Sequence, residues 1–175
     1  MLFSSKKIVQ ELVCQYQAAK NFDYNEMATI QVSLIEKLCS NASKEAFEAV
    51  GQIMTSSYNH EYLDFAIPEI LAKYIRENNV WECESALAAL ITGMKEGHNE
   101  TIRDACIQKL AESQHVDVYH ALLEYRNFLL LDKANRPKYW SFLFRSVIAA
   151  ATALTPYVEE SLRVPTQLLR QNRPI

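Results

Sequence analysis

Residues 63–74 read LDFAIPEILAKY and residues 80–97 read VWECESALAALITGMKEG, and these two stretches decide the fold. In the first, Leu63, Ala66, Ile67, Ile70, Leu71 and Tyr74 recur at intervals of three and four; in the second, Val80, Cys83, Leu87, Leu90, Ile91 and Met94 do the same. That period places each apolar set on one face of a helix. Pro68 lies inside the first pattern and predicts a kink there, because proline lacks an amide and crowds the carbonyl four residues back. Asn78-Asn79 is the expected end of the first helix. Gly97 is placed to close the second in the left-handed conformation.

The same period runs outward in both directions. Towards the N-terminus, Ile8, Val9, Leu12, Val13, Tyr16 and Ala19 mark a helix near 4–20, and Met27, Ile30, Leu34, Ile35 and Leu38 mark one near 24–40. The latter opens on Asp23-Tyr-Asn-Glu26, a capping-box pattern. Ser43 is the expected cap of a third helix carrying Phe47, Val50, Ile53 and Met54, before the turn signal 56–59. Towards the C-terminus, Asn99 caps a helix with Ile102, Ala105, Cys106 and Leu110, and Val118, Leu122, Tyr125 and Leu129 mark the next, near 116–131. Asn135-Arg136-Pro137 and Thr155-Pro156 are each a polar stretch followed by a first-turn proline, predicting two further helices. Pro165 kinks or ends the last, and the tail 171–175 is expected to fray.

The predicted starts, near 24, 43, 60, 80, 99, 116, 136 and 156, come every 17–20 residues, a rhythm that favours repeated helix pairs. A shift of 39 residues lays LDFAIPEILA over IRDACIQKLA, with three of ten positions identical. The proline within LDFAIPEILAKY, the following helix VWECESALAALI, and IRDACIQKLAES with Arg103, Asp104 and the Ala105/Leu110 spacing resemble a HEAT-type helical repeat. The resemblance covers about 60–113. It implies a curved stack of antiparallel helix pairs with a concave binding face, and no chemistry of its own. The fold expected is therefore all-α, one domain over 1–175 with eight or nine helices in antiparallel pairs, HEAT-like, a compact irregular bundle being the alternative.

Composition agrees with that class. The 175 residues are 49% hydrophobic, enough for a core, while 3 Gly and 5 Pro are too few for the turns of a sandwich or barrel. Net charge is −3, against a wholly cationic nucleic-acid binder, yet residues 1–124 carry net −8 and residues 125–175 net +5. Such polarity suits head-to-tail stacking or partners of either sign. The most apolar stretch, 139–154, is interrupted by Arg145 and is too short to span a bilayer. No signal-peptide run opens the chain, so a cytoplasmic protein is expected and the sequons at Asn41 and Asn99 are read as chance.

No catalytic constellation stands out. Cys14, Cys39, Cys83 and Cys106 are widely spaced among apolar neighbours, which predicts four buried, reduced thiols rather than a metal or redox pair. None of His60, His98, His115 or His120 has a Glu three residues before it; His115 and His120 fall on different helix faces, and Asp117 with His120 is read as a surface pair. Glu77, Glu82 and Glu84 flank Trp81, where a sugar or base could stack between acids; Glu82 and Glu84 are read instead as first-turn acids on a polar face. No cofactor, metal site or catalytic residue is predicted. The partner-binding candidates are Lys133, Arg136, Lys138, Tyr139 and Arg145, where cations alternate with aromatics, and Arg163, Arg170 and Arg173 extend the basic third. Trp140, Leu143, Phe144, Val147, Ile148, Ala151 and Leu154 form a core stripe that leaves Tyr139 and Phe142 as exposed rings.

The expected function is a non-catalytic interaction or adaptor module that docks a protein, an acidic one being the candidate the basic third suits. The alternatives are a nucleic-acid binder using the same basic third, and an enzyme or small-ligand binder with a buried pocket. Homodimerisation through Leu and Phe side chains of the seventh or eighth helix is a further expectation.

Overall fold

The structure, a computed structural model, describes residues 5–56, 61–77 and 80–171. Among these the chain is all helical: α1 Ser5–Ala18, α2 Tyr24–Asn41, α3 Lys44–Thr55, α4 Leu63–Glu77, α5 Val80–Glu96, α6 Glu100–Glu112, α7 Val116–Leu131, α8 Trp140–Leu154 and the single turn α9 Thr166–Leu169. No helix of the described residues is long and apolar enough to cross a membrane. The expected turn at 56–59 and the helix end at 78–79 fall largely outside the described residues, as do His60 and the tail from 172.

The caps form where side-chain oxygens can reach the free amides of a first turn. Asp23 accepts from the amides of Asn25 and Glu26, Ser43 from Ala46, and Asn99 from Ile102. His115 accepts from the amide of Asp117 and caps α7. The apolar stripes go inward: Leu34, Ile35, Leu38, Phe47, Val50, Leu63, Ile67, Leu71, Leu90, Met94, Ile102, Leu110, Val118 and Leu122 all join one core. Each large aliphatic side chain removed from water in this way contributes about 1.5–3 kcal/mol before conformational entropy is counted.

The helices form two layers. α2, α4, α6 and α8 pack in succession as one; α1, α3, α5 and α7 form the other, with α3 and α5 in the most extensive contact. Short connections such as Ala42-Ser43 and Gly97–Asn99 make consecutive helices antiparallel. All four helices of the first layer consequently run the same way, with their N-terminal ends along one edge of the molecule.

Four expectations need correction. Gly97 is not left-handed, since no described glycine has positive φ; it is needed because a Cβ would stand 2.7 Å from Cγ2 of Ile102. The left-handed residues are Ala42 (φ 57°) and Gln114 (φ 56°). α8 starts at Trp140 rather than near 136. Asp132 accepts from the backbone and side-chain amides of Asn135, and Arg136 N–H bonds to the Asp132 carbonyl, so residues 132–136 close into a turn that competes with the helix. No long ninth helix follows Pro156. Residues 155–171 form short 3-10 turns and α9, because their polar groups bond to α7: Val164 N–H donates to Tyr119 Oη, and the carbonyls of Leu168, Leu169 and Gln171 accept from Arg126. Finally, Cys14 is exposed, whereas Cys39 and Cys106 are buried as expected. α4 continues through Pro68 to Glu77.

Candidate functional site

The first turns of the parallel layer carry aromatic rings that its core does not use. Tyr24 begins α2, Tyr62 precedes α4, Phe65 lies in the first turn of α4, and Tyr139 and Phe142 sit at the start of α8. All five are exposed, Tyr62 and Phe65 at 59% and 61%. Two adjoining cavities join them. One, of about 590 Å³, is lined by Tyr24, Glu61, Tyr62, Asp64, Phe65, Asn99 and Thr101. The other, of about 450 Å³, is lined by Phe65, Thr101, Tyr139 and Phe142 together with Glu100 and Asp104. Phe65 and Thr101 belong to both, so the rings form one continuous edge from α2 to α8.

The floor of the first cavity is rigidly bonded. Asp64 is 3% exposed although it is a carboxylate in a first turn, and its Oδ2 accepts from Asn99 Nδ2 at 2.8 Å. Asn99 Oδ1 caps α6, and its Nδ2 also lies 2.9 Å from Nε2 of His98. The His98 Nδ1 sits 3.3 Å from the Met54 carbonyl, which ties the α5–α6 corner to the end of α3. On the rim, Tyr24 Oη donates to Glu61 Oε1 at 2.8 Å, and this bond raises the Tyr24 pKa above the ordinary phenol value. The tyrosine therefore keeps its proton and its ring is fixed across the α2–α4 gap.

The five residues singled out from sequence do not form one patch. Lys133 is exposed on the turn after α7. The Arg136 guanidinium lies over the Trp140 ring, 4.1 Å from its centroid, and Lys138 Nζ is 5.3 Å from the centroid of Tyr139. Tyr139 and Lys138 thus end the aromatic edge. Arg145 lines a separate recess of about 470 Å³ with Trp140, Ser141, Phe144, Ile148 and Arg170. Exposure of Tyr139 and Phe142 agrees with the sequence reading. Tyr24, Tyr62 and Phe65 were missed; their only signal is that each falls off the apolar stripe at the start of an even-numbered helix.

Other groups have structural roles. Burial pushes the Cys39 thiol up to about 12 and raises that of Cys106, so neither is a nucleophile near neutrality. Among the described residues no three His, Cys, Asp or Glu side chains come together in a way that could hold a metal ion. A recess of about 550 Å³ between α1, α2 and α3 is lined by Val13, Tyr16, Gln31, Ala49 and Ile53 among others, and Oε1 of the buried Gln31 has no hydrogen-bond partner. The side chains of Trp81, Glu82 and Cys83 lie outside the described ones. Compared with protein-family profiles, curated proteins and solved structures, the chain matches none.

Proposed function

We propose that this chain is a non-catalytic protein-interaction module of helical-repeat type, docking a polypeptide along the edge formed by the N-terminal ends of α2, α4, α6 and α8. One observation carries the reading: five exposed aromatic rings lie in continuity across four helices, although the core has no need of them. Aromatic side chains are costly to leave in water and are over-represented at the energetic centres of interfaces. The layered succession of antiparallel helices supports the repeat reading. The free thiols of Cys39 and Cys106 suit a reducing, cytoplasmic setting. At the α8 end, Lys133, Arg136 and Lys138 would meet acidic groups of the partner.

Nucleic acid is the weaker reading, because phosphate contacts need cations, whereas the rings of Tyr24, Tyr62 and Phe65 line a cavity with Glu61 and Asp64 and the chain carries net −3. A small-ligand reading draws on the unpartnered Gln31 oxygen, which a donor group entering its recess would satisfy.

The test is affinity capture from source cells with the wild-type protein and a Lys133→Glu/Arg136→Glu/Lys138→Glu variant at two salt concentrations. A specific protein bound by wild type and lost or weakened in the folded variant is the expected result. Nucleic acid recovered in a steeply salt-dependent way would replace this reading, and equal protein recovery by both forms would remove the basic end from the interface.

A further inference from the structure

We infer that the cavity between the N-terminal ends of α2, α4 and α6 is a cage for a cationic side-chain head, the guanidinium or ammonium group of an Arg or Lys on a basic polypeptide. Its walls are the rings of Tyr24, Tyr62 and Phe65, and its polar groups include the carboxylates of Glu61 and Asp64. Ring faces and carboxylates together are what attract a weakly hydrated cation, through the ring quadrupole and through charge. No described lining residue is basic, and the cavity, about 590 Å³, is open to solvent, as suits a side-chain head that remains attached to a polypeptide.

Helix N-termini oppose a cation, so the balance has to be weighed. The ends of α2, α4 and α6 each act as roughly +0.5 charge, and together these offset about three quarters of the two formal charges on Glu61 and Asp64, while His98 Nε2 lies 3.4 Å from Asp64 Oδ1. Asp23 and Glu26, in the first turn of α2, add to the negative field, as does the net −8 of residues 1–124. The cavity is also preorganised. The Tyr24–Glu61 bond holds one wall and uses one oxygen of Glu61, leaving the other for an N–H of the ligand. The Asp64–Asn99–His98 cluster fixes the floor. For that wall and the floor, little ordering is left for the ligand to impose.

This inference rests on the docking reading for its polypeptide source. The intact protein is titrated with the synthetic peptide acetyl-Gly-Arg-Gly-Arg-Gly-amide, with its citrulline counterpart, and with tetramethylammonium chloride, following aromatic NMR signals. The arginine peptide is expected to shift Tyr24, Tyr62 and Phe65, with affinity falling as salt rises and about tenfold weaker in Phe65→Ala and in Glu61→Gln. Both substituted side chains are exposed, and unchanged backbone signals in the core establish that each variant folds. Equal binding of the citrulline peptide, or no response to either the arginine peptide or tetramethylammonium, overturns the cage. Tetramethylammonium binding without peptide binding overturns the polypeptide source. Failure of the cage while a captured protein partner still binds both wild type and Phe65→Ala would leave the docking reading standing without it.

Discussion

Arg126 occupies a place between Leu122 and Leu129 on the buried face of α7, yet it is the largest fully buried side chain among the described residues. Its guanidinium donates to the carbonyls of Leu168, Leu169 and Gln171 and to Asn127 Oδ1, and packs over Phe144. Burial lowers its pKa from the ordinary arginine value. The sequence shows the neighbouring stripe but cannot show this, because the three carbonyls it bonds lie more than forty residues away. Arg126→Met keeps the volume and removes the donors, and is expected to destabilise the protein by about 2 kcal/mol. It should also speed tryptic cleavage after Arg163 and Arg170. A wild-type urea midpoint with unchanged cleavage would show that the tail is held by other contacts. Ala42 makes the converse case: its φ of 57° suits glycine, and Ala42→Gly should raise the urea midpoint and stabilise the protein by about 0.5–1 kcal/mol. A lowered midpoint would contradict that expectation.

At the scale of elements, most helix positions were legible because caps and stripes are local. Asp23, Ser43 and Asn99 cap as read, since each needs only a partner two or three residues on. The start of α8 and the region after Pro156 were not legible, because Asp132 and Tyr119 compete for the backbone groups that a helix would have used. Helix packing was equally hidden. A Cβ on Gly93 would lie 2.6 Å from Cys106 Sγ and 2.9 Å from Met54 Sδ, where α3, α5 and α6 converge. Gly93→Ala is therefore expected to lose about 1–3 kcal/mol in chemical denaturation despite alanine's better helix propensity; a gain would mean that the three helices separate easily.

Between α4 and α6, Lys109 Nζ lies 2.6 Å from Glu69 and Arg76 2.8 Å from Glu112. The hydrogen bond from Lys109 holds the Glu69 pKa below its ordinary value. A lowered folded-state pKa contributes stability that is present above the unfolded value of about 4.3 and is lost as pH falls through the folded value. The pair is partly exposed, so about 0.5 kcal/mol is at stake. Glu69→Gln should flatten the loss of stability between about pH 5 and 3; parallel wild-type and variant curves would show that the pair contributes nothing.

For the whole molecule, the all-helical class followed from periodicity and from the scarcity of glycine and proline. The docking edge did not, since it arises only when α2, α4, α6 and α8 are laid side by side. Tyr24 and Phe65 are 41 residues apart in sequence, and nothing local says that they share a cavity. Tyr139 was found because cations surround it in the chain, whereas Arg145 was grouped with it by sequence proximity and lies in a different recess.

The claim that this edge is the interface is tested most directly by hydrogen–deuterium exchange on the complex with the protein partner recovered by capture. Amides in the first turns of α4, α6 and α8 are predicted to exchange more slowly in the complex than in the free protein, while the solvent faces of α3 and α5 stay unchanged. Protection confined to the α1, α3, α5 and α7 layer, with the aromatic edge unaffected, would contradict the account.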